Sequence, residues 1–197
     1  VNAMERKEVY GTTGPRIRLR FFAGTDLTVD DLDRENWHSH LMTKAVPMGG
    51  NLINQNASAP QFLIAATKDP LSANLDRIQV VKGWLNSDGR AQEKVFDVAW
   101  SADRALVDGK LPALTPQIDE KTGAWNLNQG AATLRAVWQD PEFDTTQNAF
   151  YYARVLQAPT PRHALLDAIA LGLDAPTVGE SFIQERAYSS PIWTKPL

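Results

Sequence analysis

The chain has no cysteine, which excludes disulfides, thiolate metal ligands and cysteine nucleophiles together. That absence leaves the compartment open. Histidine is almost as scarce, with three in 197 residues, so a histidine-based metal centre has few donors to draw on. No apolar run approaches the roughly 18 residues that a membrane-crossing helix needs, and no membrane span is expected. Basic charge is not in excess either. The formal net charge is −3, the pI is about 5.6, and charges of both signs are interspersed. No global positive field exists to recruit a phosphate backbone, which argues against nucleic acid as a partner.

Turn formers and large anchors are present instead: twelve glycines, twelve prolines and six tryptophans. They point to strands joined by long ordered loops, and a 43% hydrophobic content over 197 residues suits one compact domain. Residues 16–22 give the clearest strand, with Ile17, Leu19 and Phe21 on one face and Arg16, Arg18 and Arg20 on the other. Thr28 followed by Val29, Asp30 and Asp31 reads as a helix cap, with a helix running toward Ala45 and stopped by Val46-Pro47-Met48-Gly49-Gly50. Residues 62–67 form a strand closed by Lys68-Asp69-Pro70.

Residues 77–85 and 93–100 flank Asp88-Gly89 and predict a β-hairpin. In its second strand Phe96, Val98 and Trp100 share one face and Glu93, Val95 and Asp97 the other, so one side should be the more buried. Residues 101–130 show little periodicity and read as a long excursion. Residues 132–138, 149–157 and 182–188 are further strands, the middle one apolar on both faces apart from Arg154 and hence central. Between the last two a helix is expected, capped by Thr160, with Pro161 at its first position and Gly172 past its end. Six or more strands with two or three peripheral helices make a mainly β, β-sandwich-like domain.

Few residues suggest chemistry. His38 and His40 would share a side on a strand, but on the expected helix an i, i+2 pair faces apart and cannot chelate. His163 falls in the first turn of the late helix, so no metal site is assigned. Asn56-Ala57-Ser58 fits a glycosylation triplet that arises often by chance, and it carries no weight. Ser189 and Ser190 lack the strand-to-helix elbow of a hydrolase nucleophile. Arg16, Arg18 and Arg20 could grip a carboxylate or phosphate through guanidinium forks, or form a solvated face paired to acids such as Asp97 or Glu93. The turn Gly14-Pro15-Arg16, with the hydroxyls of Thr12 and Thr13, is the better place for a site. Glu185 and Arg186 are expected mid-strand, as a ligand-orienting couple or a buried ion pair. Exposed tryptophans could form a sugar platform, although Trp84, Trp100 and Trp138 fall at strand positions that more often fill a core.

Several stretches, in order along the chain, closely resemble the C-terminal portion of a bacterial family, domain of unknown function 3604. They include Lys7-Glu8-Val9-Tyr10-Gly11-Thr12-Thr13-Gly14-Pro15-Arg16, Leu75-Asp76-Arg77-Ile78-Gln79-Val80-Val81-Lys82-Gly83-Trp84, Trp138-Gln139-Asp140-Pro141-Glu142 and Gln184-Glu185-Arg186-Ala187-Tyr188-Ser189-Ser190-Pro191-Ile192-Trp193. His163 and Thr194 depart from the family pattern, which has aromatics at those positions. Members of that family resemble PHP-type metal-dependent hydrolases, whose distorted β/α barrel carries the metal ligands. The resemblance implies that residues 1–15 end an upstream barrel and residues 16–197 form an appended β-rich domain. Any divalent metal would belong to the upstream domain, with no cofactor in this fragment, and an extracytoplasmic location for the parent follows from the same likeness.

The leading expectation is therefore a non-catalytic C-terminal accessory domain, partnered by the upstream barrel. Its candidate ligand-binding residues are Thr13, Arg16, Glu185, Arg186 and Arg162, the last in the matching Pro159-Thr160-Pro161-Arg162 stretch. Two alternatives stand beside it, a carbohydrate- or small-ligand-binding β module and a structural dimerisation domain.

Overall fold

The alternation of arginine and apolar residues after Pro15 produces a strand in the computed structural model, which describes residues 1–53, 58–174, 176 and 178–195. Asn56 and Ala57 of the glycosylation triplet lie outside the described residues. The elements are α1 (Asn2–Glu5), β1 (Tyr10–Thr12), β2 (Arg18–Gly24), a 3₁₀ turn (Val29–Leu32), α2 (Trp37–Lys44), β3 (Val46–Pro47), β4 (Asn51–Ile53), β5 (Gln61–Thr67), β6 (Leu75–Leu85) and β7 (Ala91–Trp100). They continue with β8 (Thr133–Gln139), β9 (Ala149–Gln157), β10 (Thr160–Pro161), α3 (His163–Ala170), β11 (Phe182–Ile183), β12 (Arg186–Ser189) and β13 (Ile192–Lys195). Among the described residues no helix is long and apolar enough to cross a membrane.

Two sheets carry the fold, which is mainly β. β9 is the axis of the larger one: β6 pairs along one edge with β7 beyond it, while β12 and β13 share the other edge, followed by β1 and β4. The smaller sheet has the order β3-β2-β5-β8 and is antiparallel throughout. Period-two alternation explains the layering. Leu19, Phe21, Phe62 and Ile64 of the smaller sheet face Ile78, Val80, Tyr151, Ala153 and Val155 of the larger, and all are buried. The Phe62 ring lies 5.6 Å from Phe21, 4.5 Å from Tyr151 and 5.8 Å from Trp138. Each large apolar side chain removed from water there stabilises the fold by about 1.5–3 kcal/mol. Phe22 and Leu63 point outward and meet Leu27 and Leu41, so α2 covers that face. Trp84 and Trp138 pack against the main core, as their strand positions suggest.

Several elements differ from the sequence reading, among them the strand expected over residues 182–188, which is split into β11 and β12. The helix expected from Thr28 to Ala45 is interrupted, because Asp31 is a hub rather than a helix surface residue. Its carboxylate accepts the Thr28 N–H at 2.9 Å and Lys44 Nζ at 2.9 Å, and lies 2.9 Å from His40 Nε2. These contacts fold α2 back over the 3₁₀ turn. The late helix begins at His163, since Thr160 and Pro161 pair with Ile183 and Phe182 instead of opening it. In β7, Val98 is skipped between the pairs Gln79↔Asp97 and Ile78↔Ala99. That bulge breaks the alternation, and every residue from 94 to 100 is half-buried instead of one face being plainly inside. The hairpin itself forms as expected, with Gly89 at φ +73° supplying the turn.

Burial works to raise the Asp31 pKa, but the hydrogen bonds from Thr28, Lys44 and His40 outweigh it and hold the carboxyl well below its usual range. A carboxyl depressed in the fold contributes stability above its unfolded value, which is lost as pH falls toward the folded one. Asp31→Asn is therefore expected to lower the urea midpoint at neutral pH, with the gap to the parent chain narrowing below about pH 4. A gap independent of pH would contradict this account.

Candidate functional site

Thr13 follows β1 directly, and the β1–β12 pairing sets Thr12 opposite Ala187. That register carries Thr13 to the link between β11 and β12. Its N–H donates to the Arg186 carbonyl at 3.0 Å, its hydroxyl donates to the Glu185 carboxylate, and the same oxygen accepts the Arg186 N–H at 2.9 Å. Three of the five candidate residues are thus joined. Arg16 sits on the far side of the Gly14-Pro15 turn, where its backbone N–H donates to Asp69 Oδ2 at 2.7 Å. The other Asp69 oxygen accepts the Leu71 N–H at 2.9 Å. Those two backbone donors, Leu71 first and Arg16 second, hold the Asp69 carboxyl below its ordinary range.

Beside this turn lies an open depression of about 950 Å³, floored by Ile17 and rimmed by Tyr10, Thr12, Arg16, Arg18 and Asp69. Among the described residues neither the Arg16 nor the Arg18 guanidinium has a hydrogen bond or ion pair. Two unpaired guanidiniums beside two hydroxyls can bind a carboxylate or phosphate.

Other expectations are redirected. Asp97 does not pair with the β2 arginines: it belongs to the larger sheet, where it accepts Gln79 Nε2 at 2.8 Å and lies 3.5 Å from Arg77. Arg20 instead lies over the Trp37 ring at 5.8 Å. No Glu185–Arg186 ion pair forms among the described residues. Glu185 is not mid-strand as expected but lies in the link before β12, where it turns to Thr13, while Arg186 opens β12 and its Nη1 donates to the Tyr188 hydroxyl at 3.2 Å. The Arg186 Nε is buried without a partner. Arg162 stands apart from the cluster, exposed at the N-cap of α3, its N–H donating to Ser181. His38 packs edge-on against Trp37 at 5.4 Å, and His40 turns to Asp31.

Besides the Asp31 hub, sequence reading missed two further buried polar groups among the described residues. One joins Lys82, Asp140 and Tyr151 between the sheets, and the other joins Asp76, Arg77, Arg104 and Gln184 on the outside of the larger sheet. The available signal was a lysine within the otherwise apolar stretch Val80-Val81-Lys82-Gly83-Trp84, which demands a buried partner.

The two packed sheets, with an arginine-lined depression on one edge, define a mainly β, sandwich-like domain. The chain belongs to the family described as a protein of unknown function (DUF3604), whose model matches residues 1–196. Searches of curated proteins and of solved structures gave no significant match.

Proposed function

We propose that this chain is a non-catalytic accessory domain of a bacterial protein resembling PHP-type metal-dependent hydrolases. In this reading the Arg16–Arg18 depression is turned toward a site on a preceding barrel domain, where the two cations help to hold an anionic ester. The observation that carries it is the pair of unpaired guanidiniums beside the N-terminal passage. Two further features support it. Helix α1 buries none of its residues, and Val1, Met4, Val9 and Tyr10 are exposed along the same passage. So short a helix gains its stability from packing against something else.

Among the described residues no group of three or more His, Asp or Glu is placed to share a cation. In this reading any metal is held by the preceding domain. The test is phosphoester hydrolysis by the longer protein and by this chain alone, each supplied with divalent manganese or zinc. The chain alone is expected to be inactive, and Arg16→Ala in the longer protein to lose about ten-fold in kcat/KM, or roughly 1.4 kcal/mol. Turnover by the isolated chain would overturn the reading, and unchanged kcat/KM would remove Arg16 from it.

A further inference from the structure

At the opposite end of β9 from the Thr13 cluster, the outer face of the larger sheet is hollowed. Glu93, Gly83, Phe150 and Trp193 form one cross-strand row over β7, β6, β9 and β13. Gly83 makes the hollow possible: a Cβ there would stand 2.2 Å from Phe150 Cζ, so the Phe150 ring lies down on bare backbone. Trp193 stands beside it, with ring centroids 5.1 Å apart at 53°. Leu85, Ala91, Gln92 and Asn148 complete a groove of about 480 Å³, within the range of about 300–1,000 Å³ usual for small-molecule clefts.

Two properties narrow the occupant. The wall is aromatic and still open, since Trp193 keeps 43% of its surface exposed. The rim is polar and lacks positive charge. Among the described residues the Glu93 carboxylate has no hydrogen bond or ion pair. Gln92 uses only its amide nitrogen, on the Ala91 carbonyl at 3.0 Å, which leaves its side-chain oxygen free. An unpaired carboxylate beside carboxamides repels anions and offers several acceptors and donors within one small rim. The row from Trp193 to Glu93 spans three strand spacings, about 14 Å, which matches two linked pyranose rings, the C–H face of one against the indole and hydroxyls of the next on Glu93 and Gln92. A lone ammonium would use the carboxylate and leave the carboxamides without a role.

We propose that the groove between Trp193, Phe150 and Glu93 binds two linked neutral pyranose units of a glycan. This site is independent of the Arg16–Arg18 depression, and either can fail without the other. The probes are neutral trisaccharides (cellotriose, xylotriose, maltotriose and chitotriose), titrated against the whole chain and followed by tryptophan fluorescence and calorimetry. At least one should bind and shift the emission. Trp193→Ala should weaken it about ten-fold or more, as removal of an aromatic anchor does, while Trp138→Phe, packed on the core and outside the groove, should retain the response. Glu93→Gln, a surface change that leaves the sheet intact, should also weaken binding, so the test survives if Trp193→Ala fails to fold. No binding by any trisaccharide, or binding indifferent to both Trp193→Ala and Glu93→Gln, would overturn the proposal. So would tight binding of tetramethylammonium that depends on Glu93, which would assign the groove to an organic cation.

Discussion

Asp140→Ala is expected to destabilise the chain by about 3–5 kcal/mol, the cost of leaving a buried charge without its partner. Asp140 is fully buried at the end of β8, where one oxygen accepts both Lys82 Nζ at 2.6 Å and the Tyr151 hydroxyl at 2.7 Å. Its other oxygen accepts the Glu142 N–H at 2.9 Å. Lys82 is itself buried, donates also to the Glu142 carbonyl at 2.7 Å, and lies 5.4 Å from the Trp84 ring centre and 5.8 Å from that of Tyr151. Burial first, then the hydrogen bond to Asp140 and its charge, push the Tyr151 phenol far above its ordinary range. The phenol therefore stays a neutral donor. Truncating Asp140 strands an ammonium and a hydroxyl between two apolar sheets.

Urea unfolding would measure the loss as a lower midpoint with an unchanged slope. The same geometry predicts that Lys82→Met costs a comparable amount, because it leaves the carboxylate unpaired. The double variant Lys82→Met with Asp140→Leu should recover most of the stability, since apolar replacement of both members of a buried pair is often neutral. If Asp140→Ala unfolds at the parent midpoint, the site is wetter than its burial implies.

Asp76→Ala is the second large effect, again about 3–5 kcal/mol, with a consequence confined to one segment. Asp76 is completely buried and accepts Arg77 Nε at 3.0 Å, Arg104 Nη2 at 2.6 Å and Gln184 Nε2 at 3.0 Å. The two arginines then reach the excursion between β7 and β8. Arg77 donates to the Leu111 carbonyl at 2.8 Å and the Pro112 carbonyl at 2.9 Å, and Arg104 donates to Pro112 at 2.9 Å. Asp97 Oδ2 accepts the Leu111 N–H at 2.9 Å. That excursion has little regular structure to hold it, so these charge-assisted bonds attach it to the sheet. Without Asp76 the two guanidiniums repel each other under a low-dielectric cover. Hydrogen exchange should then show early loss of protection at the Leu111 amide, ahead of the amides of β6 and β9. Uniform loss across the chain would mean that Asp76 supports the whole sheet and not this segment.

Much of the fold was legible because it is written in short periods. The alternation of Ile17, Leu19 and Phe21 with arginines set β2 and its inward face, Asp88-Gly89 set the β6–β7 hairpin, and the two apolar faces of β9 set its central place. What failed were features in which a side chain overrules the local period. Asp31 gathers His40 and Lys44 and bends one expected helix into two pieces, and the skipped Val98 moves part of β7 to the other face. The candidate cluster was half legible. Thr13, Glu185 and Arg186 were each singled out, but their contact depends on β1 lying against β12, more than 170 positions further along.

Sequence alone determined a cysteine-free, weakly acidic, mainly β chain of the DUF3604 family with alternating strands and turn chemistry between them. Those properties act over a few residues, so they can be read locally. Tertiary structure decided which charges are buried together, as Lys82 with Asp140, and which surfaces stay open, as Trp193 beside Gly83. These depend on strand order and register, which bring together groups 58 and 110 positions apart. No local period encodes such separations. The pairing is set only when both sheets close on one core and every buried polar group must find a partner.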